Sequence, residues 1–225
     1  MCGRFALDYT SSILTNWYGA TSMPGLFPRY NIAPMTDILA ILDASSQRVG
    51  TIMHWGFIPH WAKETDKLPV LNNARSETIA TKPMFRSAYR KQRCIIPASG
   101  FYEWKLLQDG KHKQPYYISA MDGHPLSFAG IWDTFTQDDV VMQTCAIITT
   151  ACNDLMRPIH DRMPVMLPPE VFDVWLKPGE LPVDVAENIF NPFAAQQIQL
   201  WPVSTAVNKA TNQGPNLIQP IDVVA

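Results

Sequence analysis

Apolar residues in this chain fall into short runs broken by prolines and polar turns, with no sustained helical or heptad spacing. The runs TDILAILDA, QRVGTIMHWGFIP, RCIIPASGFYEWKLL and VVMQTCAIITT are rich in Ile, Val and aromatic residues and read as strands. Pro59 is expected to end the second, and PASG interrupts the third. KQPYYISAMDGHPLSFAGIWDTF predicts two more strands around an MDGH turn, and QIQLWPVS a last strand ahead of a polar tail. SSILTNWYGA predicts a helix from Ser11 to near Gly19. SETIATKPMFRSAYRKQ reads as a helix with Ser76 as N-cap and Glu77 in its first turn, interrupted near Pro83. PPEVFDVWLKPG and PVDVAENIFNPF suit short helices, and PHWAKETDKLPVLNNAR reads as loop. The sum is roughly seven or eight strands with three or four helices, without repeats or regular strand–helix alternation. This predicts an α+β fold: one domain over residues 1–225, core about 2–220, on a curved, mostly antiparallel, barrel-like sheet with short peripheral helices.

Composition changes that picture little. The 225 residues are 47% hydrophobic and 17% charged, enough to bury a core, and the 19 prolines favour a loop-rich β or α+β chain. No apolar run approaches the ~20 residues that span a bilayer. No secretory signal is read at the N-terminus, so a cytoplasmic location is expected. The four cysteines, Cys2, Cys94, Cys145 and Cys152, are scattered without a CxxC pair, which argues against both a disulfide framework and a zinc site. Cys94 and Cys145 are expected to be buried in apolar strands.

Charge adds more. The net charge of -2 conceals an asymmetry: residues 1–113 carry 14 Lys/Arg and 8 Asp/Glu, whereas residues 114–225 carry 4 and 12. The densest basic stretch holds Lys82, Arg86, Arg90, Lys91 and Arg93. Such a distribution points to a polyanionic partner, or to a solvated helix face.

Several short stretches carry candidate chemistry. MCGRF places Cys2 behind the initiator methionine, so removal of Met1 would leave an α-amine and a thiol on one residue. Both have a nucleophilic fraction near neutral pH. LNNARSET offers the amides of Asn72 and Asn73 and the guanidinium of Arg75, a bidentate phosphate ligand; the same residues also suit a turn. GFYEWK sets Glu103 between Tyr102 and Trp104, where desolvation would raise its pKa, although strand alternation puts it on the opposite face from those aromatics. IHDRMP contains His160, one of five histidines and a natural acid/base. In HWGFIPHW, Trp55 and Phe57 suit packing, and Trp61 suits a surface that stacks on bases.

Taken together, MCGRF, RYNIAP, WGFIPHW, NARSET with KPMFR, RCIIPASGFYEW, IITTACN, IHDRMP and VSTAVN resemble the SRAP family, SOS-response-associated proteins that crosslink to abasic sites in single-stranded DNA. The resemblance runs from Met1 to about Pro220 and is to the bacterial type. It implies that Cys2 bonds to the ring-opened sugar aldehyde, that Asn73 contacts the sugar and places Cys2, and that Glu103 and His160 are catalytic. It implies a DNA-contacting set of Arg4, Pro34, Trp61, Arg75, Arg86, Thr149 and Arg162. Trp61 lies in the loop that wedges beside the lesion, with one tryptophan in PHWAK where some members have two. No cofactor, metal or membrane is implied, and a monomer is expected.

The chemistry of these residues fits those roles. A 1,2-aminothiol forms an imine with an aldehyde and then closes to a thiazolidine. An imine that fails to close permits β-elimination, a weak lyase activity, and the peptidase in the family's name fits at most removal of Met1. Two rival readings remain at this point. One is an N-terminal-nucleophile hydrolase of the glutamine amidotransferase kind; the other is a non-covalent single-strand-binding module.

Overall fold

A computed structural model describes residues 2–63 and 71–222. The predicted removal of Met1 and the centre of the predicted loop after Pro59 lie outside the described residues. Along the chain run β1 (Phe5–Leu7), α1 (Ser11–Tyr18), β2 (Arg29–Ile32), β3 (Asp37–Ala44), β4 (Gln47–Trp55) and β5 (Asn73–Arg75). There follow α2 (Arg86–Lys91), β6 (Arg93–Ala98), β7 (Gly100–Leu106), β8 (Lys113–Ala120), β9 (Leu126–Gln137) and β10 (Val140–Ala151). The last elements are β11 (Arg162–Pro164), α3 (Phe172–Leu176), α4 (Val183–Phe190) and β12 (Ile198–Pro202).

Five strands close on themselves in the order β10-β4-β3-β6-β9, with β9 returning to β10. Every pairing in the ring is antiparallel except β10 with β4. A second sheet is open and antiparallel, in the order β12-β8-β7-β1-β2. Its inner face packs on the barrel through aromatic edges. Phe5 meets Trp55 at 5.2 Å and Phe128 at 6.1 Å, and Phe101 meets Phe128 at 5.9 Å. Its outer face is covered too. Tyr102 and Tyr117 pack with Val203, Val207 and Leu217 of the C-terminal segment. The predicted α+β class and barrel-like sheet are what the chain forms.

Local signals worked where caps and turns were strong. The α1 helix begins where the Thr10 side chain accepts from the Ile13 N–H, and it ends at Gly19 with φ 58°, a left-handed position suited to glycine. Cys94 and Cys145 are fully buried in β6 and β10, as expected.

Three expectations are corrected. Twelve strands are present among the described residues, because β1, β2, β5 and β11 are only three or four residues long and too short to show an alternating pattern. Residues 76–84 form turns rather than helix, and only Arg86–Lys91 is helical. Pro83 lacks an N–H, and the Ser76 N–H donates to the Thr149 carbonyl at 2.9 Å, so Ser76 extends the β5–β10 ladder instead of capping a helix. The second strand ends at Trp55, not Pro59, because after the Gly56 N–H to Cys145 rung the Phe57 N–H turns to the Leu71 carbonyl and the Ile58 N–H to the Thr144 hydroxyl. The two strands expected around the MDGH turn are present as β8 and β9, and they belong to different sheets: β8 pairs with β7 and β12, and β9 with β6 and β10.

Candidate active site

Strand β10 assembles the site by exchanging neighbours along its length. On one edge it pairs with β4 at Thr144–Cys145 and then, in the same parallel sense, with β5 at Ile147–Thr149. On the other edge β9 gives way to β11, whose Arg162–Pro164 runs antiparallel to Ala151–Thr149. The excursion between β4 and β5 is tied down by the Trp55 Nε1–H donating to the Asn72 carbonyl at 2.8 Å and the Phe57 N–H to the Leu71 carbonyl at 3.0 Å. Residues i and i+2 of a strand share a face, so Asn73 and Arg75 point the same way from β5, while Ala74 between them is buried.

Cys2 is brought to Asn73 by β1. The Asn73 amide Nδ2–H donates to the Cys2 carbonyl at 2.8 Å. The Asn73 Oδ1 atom is buried and has no protein hydrogen-bond partner. Cys2 itself is fully buried. Burial pushes its thiol well above the ordinary range, and the Glu103 carboxylate pushes it further. At neutral pH the sulfur is therefore a protonated thiol, not a thiolate.

Glu103 explains itself through the two-faced burial of the open sheet. It does lie on the opposite face from Tyr102 and Trp104, as alternation predicts, but that face is the inner one, shared with Phe101. Glu103 is 3% exposed. Burial pushes its carboxyl above the usual glutamate range, and nearby positive charge, His160 included, opposes that rise. Cys2, Asn73, Glu103 and His160 are thus one cluster, linked by a hydrogen bond and by charge.

His160 follows a tight turn after β10 and precedes β11. Its Nδ1 accepts from the Arg162 N–H at 3.0 Å and lies 3.0 Å from Asp161 Oδ1. When Nδ1 accepts, the ring proton sits on Nε2. Arg162 is 13% exposed at its side chain, and its guanidinium binds both carboxylate oxygens of Glu77 and donates to the Thr149 carbonyl at 2.6 Å and hydroxyl at 3.4 Å. Thr149 is fully buried and lies opposite Arg75 in the β10–β5 register.

The remaining predicted contact residues lie on several elements of the fold. Arg4 is half-buried; its Nη1 donates to Asn31 Oδ1 at 2.7 Å and to the Val207 carbonyl at 2.9 Å, and its guanidinium lies 6.0 Å from the Trp104 ring centre. Arg4 therefore ties the strand after Cys2 to the C-terminal segment. Arg75 and Arg86 are exposed, and Pro34 occupies a turn in which Met35 holds φ 63°, a left-handed position that a non-glycine residue rarely adopts. Trp61 is 47% exposed, whereas Trp55 and Phe57 are buried, which matches the division expected among these aromatics.

Sequence patterns did not point to Asn31 or Asp133. Asn31 is 2% exposed, and its Nδ2 reaches the carbonyls of Val207, Lys209 and Asn212. Asp133, 3% exposed, fastens the Trp61 loop: Oδ2 accepts from the His60 N–H at 2.9 Å and lies 2.8 Å from His60 Nδ1, and Oδ1 accepts from the Thr134 N–H. An isolated Asn or Asp has no spacing signal; only the register of distant strands reveals its partners. Asp133→Ala leaves two backbone N–H groups without acceptors and is expected to lower the unfolding free energy by roughly 2 kcal/mol, measured by chemical denaturation.

Among the described residues no cluster of His, Cys, Asp and Glu could hold a metal ion, and no helix is long and apolar enough to cross a membrane. The family model for SOS response associated peptidase (SRAP) matches residues 1–210. The chain is 40% identical over 224 residues to the abasic site processing protein YoqW of Bacillus subtilis (strain 168), covering 97% of this chain and 99% of that one. It is 34% identical over 230 residues to the abasic site processing protein YedK of Escherichia coli (strain K12), covering 98% of this chain and all of that one. A crystal structure of a protein from Bacteroides thetaiotaomicron superposes with a TM-score of 0.88 at 28% identity, covering 98% of this chain and 100% of its own. With the family model matching residues 1–210 and relatives 40% and 34% identical over nearly the whole chain, this chain belongs to the SRAP family.

Proposed function

We propose that this protein processes abasic sites in single-stranded DNA by bonding to them covalently through Cys2. The observation that carries the reading is the cluster itself: an N-terminal cysteine held by Asn73 beside a buried carboxyl and a histidine, with the exposed Arg75 on the same strand face as Asn73. Relatives that carry the name abasic site processing protein support it.

The steps use this chain's own groups. Once Met1 is removed, the Cys2 α-amine is the nucleophile that adds to the aldehyde, since only an amine goes on to an imine. An abasic deoxyribose is mostly a closed hemiacetal, and its opening needs a proton donor at the ring oxygen; the imidazolium form of His160 gives up one proton and is left as the neutral ring, which takes a proton back from the anomeric hydroxyl. The amine adds to the sugar aldehyde and water leaves, giving an imine. The thiol sulfur then adds to the imine carbon and its proton passes to the nitrogen, closing a five-membered thiazolidine. Glu103 takes and returns protons in these steps, and its raised carboxyl suits transfer nearer neutrality. The unpaired Asn73 Oδ1 can accept from a sugar hydroxyl. If the imine does not close, its neighbouring carbon loses a proton and the 3′ phosphate leaves, which gives a weak strand-cleaving activity.

The strand is docked by its phosphates, with Arg75 the exposed ligand nearest the cluster in sequence. Arg75→Ala is expected to weaken binding to single-stranded DNA and to reduce the slope of log K against log salt by about 1, read by fluorescence anisotropy across a salt series. The function as a whole is tested with single-stranded DNA carrying one abasic site. A product that survives boiling in detergent is expected. Glutaminase activity on labelled glutamine without any DNA adduct would instead support an N-terminal-nucleophile hydrolase.

A further inference from the structure

We infer that Glu77 occupies a DNA phosphate site: its carboxylate sits on the Arg162 guanidinium in the free protein and is displaced when a strand docks. The inference rests on the proposed binding of single-stranded DNA. It adds to that reading a residue that limits how tightly any strand is held before the covalent bond forms.

Glu77 accepts from Nη1 and Nη2 of Arg162 in a fork, the geometry that a guanidinium offers equally to a phosphate. The two partners differ in depth. The Arg162 side chain is 13% exposed and that of Glu77 is 50% exposed, so protein walls the guanidinium on most sides and the carboxylate stands at its mouth. Taking Glu77 away leaves the guanidinium aimed, because Nη2 still donates to the Thr149 carbonyl and hydroxyl. The backbone of Arg162 is fixed on both sides. The Cys152 N–H donates to the Asp161 carbonyl at 3.0 Å, and the Val165 N–H to the Ile148 carbonyl at 2.9 Å. Glu77, by contrast, is carried by the turns that follow β5. The place also suits a docked strand: Arg162 and the exposed Arg75 reach Thr149 from opposite edges of β10. With Glu77 on the fork, one anion must leave before another binds, so the pair cancels much of what Arg162 adds to docking. A strand without a lesion, held only by its phosphates, is then released sooner, whereas an abasic strand is retained by its bond to Cys2.

Reversible binding of an intact oligothymidylate, read by fluorescence anisotropy at low salt, gives the sign. Glu77→Gln is expected to bind about fivefold more tightly than the wild type. Glu77→Ala, which leaves no acceptor on the fork, should shift the same way and serves if glutamine stays bonded to Arg162. Loss of any nearby negative charge raises affinity a little, so Asp161→Asn is the control: that carboxylate neighbours Arg162 in sequence, is 88% exposed and pairs with His160. Its gain should stay within about twofold. A crystal structure of the wild type with the same strand should show phosphate oxygens on Nη1 and Nη2 and Glu77 turned to solvent. Unchanged or weaker binding in both Glu77 variants overturns the inference. So does a gain no larger than that of Asp161→Asn, or a complex in which Glu77 still grips Arg162. If the wild type binds strands but forms no adduct at an abasic site, the proposed function fails, while the same titrations still decide the role of Glu77.

Discussion

Cys2→Ala is expected to remove the detergent-resistant DNA adduct altogether while leaving reversible binding to single-stranded DNA within about twofold of the wild type. The separation follows from the geometry. Docking depends on exposed cations such as Arg75, whereas the side chain of Cys2 is fully buried and contributes only to the bond. Alanine keeps the α-amine, so an imine can still form, but without sulfur it cannot close to a thiazolidine and it hydrolyses. Strand cleavage by β-elimination should therefore rise as the adduct disappears. Cys2→Ser provides the graded case: its hydroxyl closes only to an oxazolidine, so its adduct should decay during heating. Denaturing gels of the same reaction read both the retained adduct and the cut strand.

Glu103→Gln carries the second large effect. General acid–base groups contribute roughly 10²–10⁴-fold to rate, and a loss in that range is expected in the rate of adduct formation. The variant keeps the volume and much of the hydrogen-bonding shape, so it should fold. The pH profile separates this role from a packing role. Burial raises the folded-state carboxyl above the ordinary glutamate range, so its base form is lost as pH falls through a value higher than that range. The acid limb of the wild-type rate should lie correspondingly high and should vanish in Glu103→Gln. An acid limb identical in both proteins would assign it to another group.

The pattern of apolar runs made the long strands of the barrel legible, because β3, β4, β9 and β10 are eight to twelve residues long and rich in branched residues. It did not reveal β5 or β11, the two three-residue strands that carry Asn73, Arg75 and Arg162. Those strands exist because β10 offers them edges where β4 and β9 stop, a tertiary cause with no local trace. The same reason underlies the turn at 76–84: helical propensity lost to Pro83 and to the Ser76–Thr149 bond. Alternation along GFYEWK correctly opposed Glu103 to its aromatic neighbours. Whether that face was wet or dry depended on a barrel lying beneath it, which one strand's pattern does not encode. Cys2, Asn73, Glu103 and His160 were found as chemical types in motifs, and the fold accounts for their meeting: β1, β5, β7 and the turn before β11 converge at one end of β10. Asn31 holds Arg4, Glu77 pairs with Arg162 and Asp133 fastens the Trp61 loop, each across a long stretch of sequence, so these contacts are visible only in three dimensions.

The central claim is that one covalent bond joins the sugar to Cys2. The adduct with single-stranded DNA carrying one abasic site can be trimmed by nuclease and protease and the N-terminal peptide sequenced by tandem mass spectrometry. The account predicts that Met1 is absent and that the sugar remnant sits on Cys2 as a thiazolidine, stable without borohydride reduction. A remnant found on a lysine, such as Lys82, or recovered only after reduction, would contradict it.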